Sequence, residues 1–97
     1  MSKKVFKFQA KVWVWPGYAG WHFVTLPKNL SKEIKKVAKQ YGAGFVKVTV
    51  TVGSSTWVTA LFPHKESESY LLSIKKSIRK KEEIWEDDDI KISFILK

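Results

Sequence analysis

The 97-residue chain carries 18 lysines and arginines against nine acidic residues, 44% hydrophobic side chains and no cysteine. That length and apolar content support one core and exclude a second domain, while the missing cysteine excludes disulfides, thiolate nucleophiles and sulfur-ligated zinc and suits a reducing cytoplasm. The opening Met-Ser-Lys-Lys leads straight into a strand pattern, so neither a signal peptide nor a membrane span is expected.

The charge is unevenly spread. Residues 1–52 hold ten lysines and a single acid, Glu33, whereas residues 53–97 hold eight basic and eight acidic side chains. A positive field of this kind favours anionic partners, nucleic acid or acidic proteins among them, although lysines also serve simply to keep surfaces wet and sheet edges unpaired.

In chain order, residues 5–15 alternate, with Phe6, Phe8, Ala10, Val12 and Val14 on one face and Lys7, Gln9, Lys11, Trp13 and Trp15 on the other. Period two predicts one half-buried strand. Pro16-Gly17 predicts a type II turn and a hairpin across Pro16 to Gly20 into a second strand, residues 21–26. Pro27 ends that strand, and Asn29 or Ser31 is expected to cap a helix that buries Leu30, Ile34, Val37, Ala38 and Tyr41 and exposes Lys32, Lys35, Lys36 and Lys39. Gly42 stands at the C-cap position, with Gly44 as a second break. Phe45 to Val52 alternates valine with lysine or threonine and predicts a strand, which Gly53 to Thr56 turns into an antiparallel partner at residues 57–62.

Pro63 to Ser69 predicts a polar, mobile loop. A short strand at residues 70–74 follows, then a basic helix at 75–83 with Ile74 and Ile78 on its apolar side, closed over by Ile84 and Trp85. Glu86 to Asp89 forms an exposed acidic corner before a final strand, with Ile90, Ile92, Phe94 and Leu96 inward.

Two strand–helix–strand units therefore recur, residues 21–52 and 70–96. Phe23-Val24-Thr25-Leu26 matches Leu71-Leu72-Ser73-Ile74, and Ile34 matches Ile78 on the helices. Neither unit buries its own apolar face. Interleaved, the two close one barrel, and the expected fold is mainly β, a small closed barrel of about six strands with two short helices and an internal pseudo-two-fold axis.

Trp21 to Pro27, Ala60-Leu61-Phe62-Pro63 and Ile78-Arg79-Lys80 ahead of the acidic corner resemble a prokaryotic family of small domains, domain of unknown function family 1905. The resemblance covers almost the whole chain and implies a double-split β-barrel. The stretch Ile74 to Ile92 is also similar to the swapped-hairpin half of AbrB-type and MazE-type DNA-binding proteins, which build the barrel from two chains. Where those families carry Gly-Asp before the last strand, this chain has Asp87-Asp88.

Catalytic motifs are sparse. His22 and His64 lie far apart in sequence, Glu86 to Asp89 lacks the spaced ligands of a calcium loop, and no phosphate-binding, nucleophile-elbow or dinucleotide motif occurs. No cofactor or metal is expected. The reading is a non-enzymatic binding module that meets a protein or small ligand through an aromatic and basic face. The alternative is a nucleic-acid-binding barrel, in which Lys7, Lys11, Lys32, Lys35, Lys36 and Lys39 neutralise phosphates while Trp13 and Trp15 stack on bases. A barrel complete in one chain predicts a monomer or weak dimer.

Overall fold

The computed structural model describes residues 4–18, 20–38 and 44–97. Seven strands and two helices follow in the order β1 (Phe6–Lys11), β2 (Trp13–Val14), β3 (His22–Thr25), α1 (Lys28–Val37), β4 (Val46–Val52), β5 (Ser55–His64), β6 (Ser69–Ser73), α2 (Lys76–Glu82) and β7 (Asp89–Leu96). All pairings are antiparallel, and the strand order is β1-β7-β4-β5-β6-β3-β2.

The two ends of that order, β1 and β2, are consecutive in the chain, with Val12 alone between them. The sheet is therefore curled into a nearly closed barrel. The strand count is seven rather than six because the expected first strand breaks at Val12: Phe6 to Lys11 pair with β7, and Trp13 and Val14 pair with β3. Val12 is fully buried and holds the acidic corner through two backbone bonds, accepting from Asp87 N at 2.8 Å and donating to Asp88 O at 2.9 Å. Those groups, freed from the ladder by the break, are thus still satisfied.

The repeat is visible in the pairing. β3 pairs with β6 and β4 with β7, while β5 bridges β4 to β6 as the β1–β2 run bridges β7 to β3. Exchanging the two units leaves this pattern unchanged. Val24 and Leu72, equivalent in the aligned repeats, stand directly opposite each other.

The valines of β4 fill the interior as alternation requires: Val46, Val48, Val50 and Val52 are buried together with Ile92 and Phe94 of β7. Phe94 stacks on Phe6, ring centroids 5.1 Å apart. Each helix sets one fully apolar side chain into the core, Ile34 from α1 and Ile78 from α2.

Helix α1 corrects two expectations. Pro27 occupies its N-cap with no side-chain cap, and the buried Ser31 instead accepts a hydrogen bond from Tyr70 N at 3.1 Å. Val37 is 63% exposed, because the apolar stripe that meets the barrel is narrower than the sequence pattern. Lys39, Tyr41 and Gly42 lie outside the described residues. Trp85 does not close over α2 but is 73% exposed, and Ile84 alone is buried there, its amide bonded to Arg79 O at 2.8 Å past the left-handed Glu83. The expected long loop shrinks to the turn 65–68, since β5 runs on to His64 and β6 starts at Ser69.

Turn chemistry follows the local sequence. Tyr18 N donates to Trp15 O at 3.0 Å across Pro16-Gly17, and Gly17 takes φ +83°, the geometry proline and glycine favour in those positions. At the acidic corner Asp87 itself adopts φ +72°, replacing the expected glycine, and Asp88 Oδ2 accepts from Trp85 N at 2.8 Å. Asparagine and aspartate are the side-chain-bearing residues that enter this region most readily.

Candidate functional site

Directly opposed residues in antiparallel strands share a face. Val24 and Leu72 point into the core, so the neighbouring opposed sets, Trp13 with Phe23 and Ser73, and Phe62 with Leu71 and Thr25, point outward. Phe23 and Leu71 are nevertheless 4% and 0% exposed. Their cover is aromatic: Phe23 lies 5.3 Å from Trp13, 5.6 Å from Trp15 and 5.4 Å from Phe62. Trp13 Nε1 donates to Thr25 Oγ1 at 2.9 Å. Trp13 and Trp15 are thus half-buried members of a second, outer apolar cluster, held by packing and a hydrogen bond. Large rings facing water on this side include Tyr18 and Trp21, stacked at 5.3 Å and 57% and 58% exposed, and Phe45, which meets Phe62 edge-on at 6.1 Å.

The cluster reaches a basic groove through His64, whose ring meets Trp15 edge-on at 6.0 Å. This groove, about 610 Å³ in volume, runs between α1, which presents Ser31, Lys32 and Lys35, and the β5–β6 turn, which presents His64, Lys65 and Glu68. Pro63, Gly44, Ser69 and Tyr70 complete its walls and floor. Each element is positioned for a local reason. Ile34 pins α1 to the barrel so that Lys32 and Lys35 fall on the open side, and the Ser31 to Tyr70 bond joins α1 to the first residues of β6.

Glu68, the one acid lining the groove, sits 3.5 Å from Lys28, with both side chains largely exposed. Lys32, Lys35 and Lys65 therefore leave the site with a positive excess. On its floor Tyr70 is 5% exposed. Burial pushes its pKa above the ordinary tyrosine value, so the group remains a protonated donor at neutral pH.

His64 is occupied locally. Ser67 Oγ stands 2.8 Å from His64 Nδ1 and 3.3 Å from His64 O. These contacts tighten the turn. His22 Nε2 lies 3.3 Å from Arg79 Nη1, and Arg79 also donates to Ile74 O at 3.0 Å and Gly20 O at 3.2 Å. The only arginine of the chain is thereby committed to holding α2 against the β2–β3 connection.

The sequence-derived candidates separate into several places. Lys32 and Lys35 meet in the groove; Lys36, one residue on, is exposed on the same helix. Lys7 instead borders a shallower depression of about 450 Å³ with Lys91, Gln9 and Thr51, and Lys11 pairs in register with Asp89. Lys39 falls outside the described residues. Tyr70, Lys65 and Ser31 were not among the candidates, and no sequence signal marks them, since they read as a strand, a loop and a helix cap until the barrel brings them together.

The model of one family, described as a domain of unknown function, DUF1905, matches residues 8–94. The chain belongs to that family. No curated protein matches it. Within the DUF1905 match lie the first strand–helix–strand unit, all but the last two residues of the second, the aromatic cluster and every lining residue of the groove. No helix among the described residues is long and apolar enough to cross a membrane.

Proposed function

We propose that this DUF1905 domain is a non-enzymatic binding module that takes up a small anionic ligand in the groove between α1 and the β5–β6 turn. The observation that carries this reading is the convergence of Lys32, Lys35 and Lys65 on a cavity whose single acid is offset by Lys28. A volume of about 610 Å³ suits a ligand of metabolite size. The side chains with catalytic potential, His22, His64, Ser67 and Arg79, serve internal contacts, which supports binding rather than turnover. We further read the barrel as the double-split type, on the two-fold exchange pattern of its pairings.

The test is a titration of the protein with small mono-, di- and trivalent anions at about 20 mM salt, followed by amide NMR. Binding that perturbs residues 31–35 and 64–70 and weakens with Lys32→Ala or Lys35→Ala supports the reading. Absence of small-anion binding, with retention of a DNA strand or duplex instead, transfers it to nucleic acid.

A further inference from the structure

We infer that the aromatic strip running from Tyr18 and Trp21 to Phe45, on the outer face of the barrel, is a docking surface for single-stranded nucleic acid, whose bases stack on its exposed rings. The inference goes beyond the anion-binding reading above and concerns a surface that adjoins the groove, not the groove itself.

The strip is continuous. Tyr18 stacks on Trp21 at 5.3 Å, Trp21 meets Phe23 at 6.5 Å, Phe23 meets Phe62 at 5.4 Å and Phe62 meets Phe45 at 6.1 Å. It thus crosses from the β2–β3 connection, over β3 and β5, to the residue before β4. Its middle is packed, with Phe23 buried and Phe62 half-buried, whereas Tyr18, Trp21 and Phe45 face water. The outer cluster around Phe23 therefore seats the exposed rings on a fixed base. An apolar patch of this kind, open at both ends of a packed row, marks a contact surface. Beside Trp21 it opens into a cleft of about 360 Å³, lined also by Phe62, Ser73 and Lys75.

Charge selects the occupant. A second copy of the chain brings the same net charge of +9, which opposes self-association. Lys75 lines the cleft at one end of the strip, and none of the described residues lining it is acidic. At the other end Gly44, the neighbour of Phe45, borders the groove that holds Lys32, Lys35 and Lys65. The partner is therefore anionic. An acidic peptide is a poor match, because the negative face of an aromatic ring repels a carboxylate. A nucleic-acid strand instead alternates phosphates with flat bases, each with a π-face to lay on an exposed ring. In a duplex those faces are already stacked on one another, so the surface favours a single strand. Stacking accepts any base, and lysine meets phosphate as a point charge, so little sequence preference is expected.

Labelled oligothymidylate of about twelve nucleotides and a duplex of the same length are the probes, titrated with the full chain by fluorescence anisotropy at about 50 mM salt. The single strand is expected to bind more tightly. Trp21→Ala and Phe45→Ala are each expected to weaken it roughly tenfold or more and to leave duplex binding within about twofold, whereas Trp21→Phe retains most of the affinity. Lys75→Ala is expected to make single-strand binding less dependent on salt. Amide NMR signals of residues 18–23, 45 and 73–75 are expected to shift with the bound strand. Equal affinity for strand and duplex, untouched by Trp21→Ala and Phe45→Ala, overturns the proposal in favour of plain attraction between charges. Shifts confined to residues 31–35 and 64–70 overturn it by placing the strand in the groove. Absence of strand binding while small anions still bind overturns it and leaves the groove reading standing; binding of polyglutamate in its place, lost in Trp21→Ala, overturns it in favour of an acidic protein. Circular dichroism and urea melts of each variant establish that the fold is retained.

Discussion

Ser31 Oγ, buried in α1, accepts the backbone N–H of Tyr70 at 3.1 Å across 39 residues of chain, and this bond ties the helix to the sheet beside the groove. Serine at this point of a helix is ordinarily read as a capping or solvent-facing residue. Here it supplies the partner that the first residues of β6 lack in the ladder.

Replacing it tests that role. Ser31→Ala leaves the Tyr70 amide buried without an acceptor, and the expected loss of stability is about 1–3 kcal/mol, less the few tenths gained from alanine's helix propensity. Urea unfolding followed by tryptophan fluorescence measures it; an unchanged midpoint would show that water replaces the hydroxyl.

Glu82, the last residue of α2, clasps the β4–β5 turn. Its carboxylate accepts from Ser55 Oγ at 2.6 Å and Ser54 Oγ at 3.0 Å, and these hydrogen bonds, the Ser55 one foremost, hold its pKa below the ordinary carboxylate value. A folded-state pKa below the unfolded one contributes stability that is present above the unfolded value and is lost as pH falls through the folded value. Stability is therefore expected to drop through the acid side of the carboxylate range, and Glu82→Gln to flatten that drop while changing little of its shape near neutrality. Urea midpoints at a series of pH values from 7 to 3 decide it.

Gly53 opens the same turn at φ +58°, and a Cβ there collides with the Glu82 carboxylate. Gly53→Ala is accordingly expected to combine backbone strain with displacement of Glu82, lowering stability by about 1 kcal/mol or more. In the Glu82→Gln background a part of the penalty persists, because the strain at φ +58° is independent of the carboxylate.

Val50 is fully buried and stands opposite Phe94 and Trp57, at the centre of the β7-β4-β5 sheet. Val50→Asp places a carboxylate there with no partner, at a cost of several kcal/mol that rivals the whole stability of a domain of this size. The variant is expected to be unfolded by circular dichroism. A cooperative melt from a soluble Val50→Asp protein would contradict the register.

Trp13→Ala removes a ring that covers Phe23 and the indole donor to Thr25 Oγ1. The expected effect is a loss of about 2 kcal/mol of stability. A variant of unaltered stability with selectively weakened single-strand DNA binding would return Trp13 to the role of a base-stacking platform.

Much of the secondary structure was legible without coordinates, and the exceptions are instructive. Pro16-Gly17, the valines of β4 and the matched Ile34 and Ile78 read correctly because each reflects a local preference of the backbone or a period that one element imposes on its own side chains. Val37 and Trp85 misled because their spacing fits an apolar face, but the barrel surface that they were to meet ends before it reaches them.

What the sequence determined by itself is the alternation of strands and helices, their apolar faces, the repeated unit and membership of the DUF1905 family. Tertiary structure alone decided that the first strand breaks at Val12 to join both ends of the sheet, that Trp13 and Trp15 turn onto Phe23, and that Ser31, Lys35, Lys65 and Tyr70 border one groove. The physical reason is one of range. Periodicity and turn chemistry are written within a few neighbouring residues, whereas strand partners and the meeting of residues 31–35 with 63–70 are set by closing the barrel, a condition that the chain satisfies only as a whole.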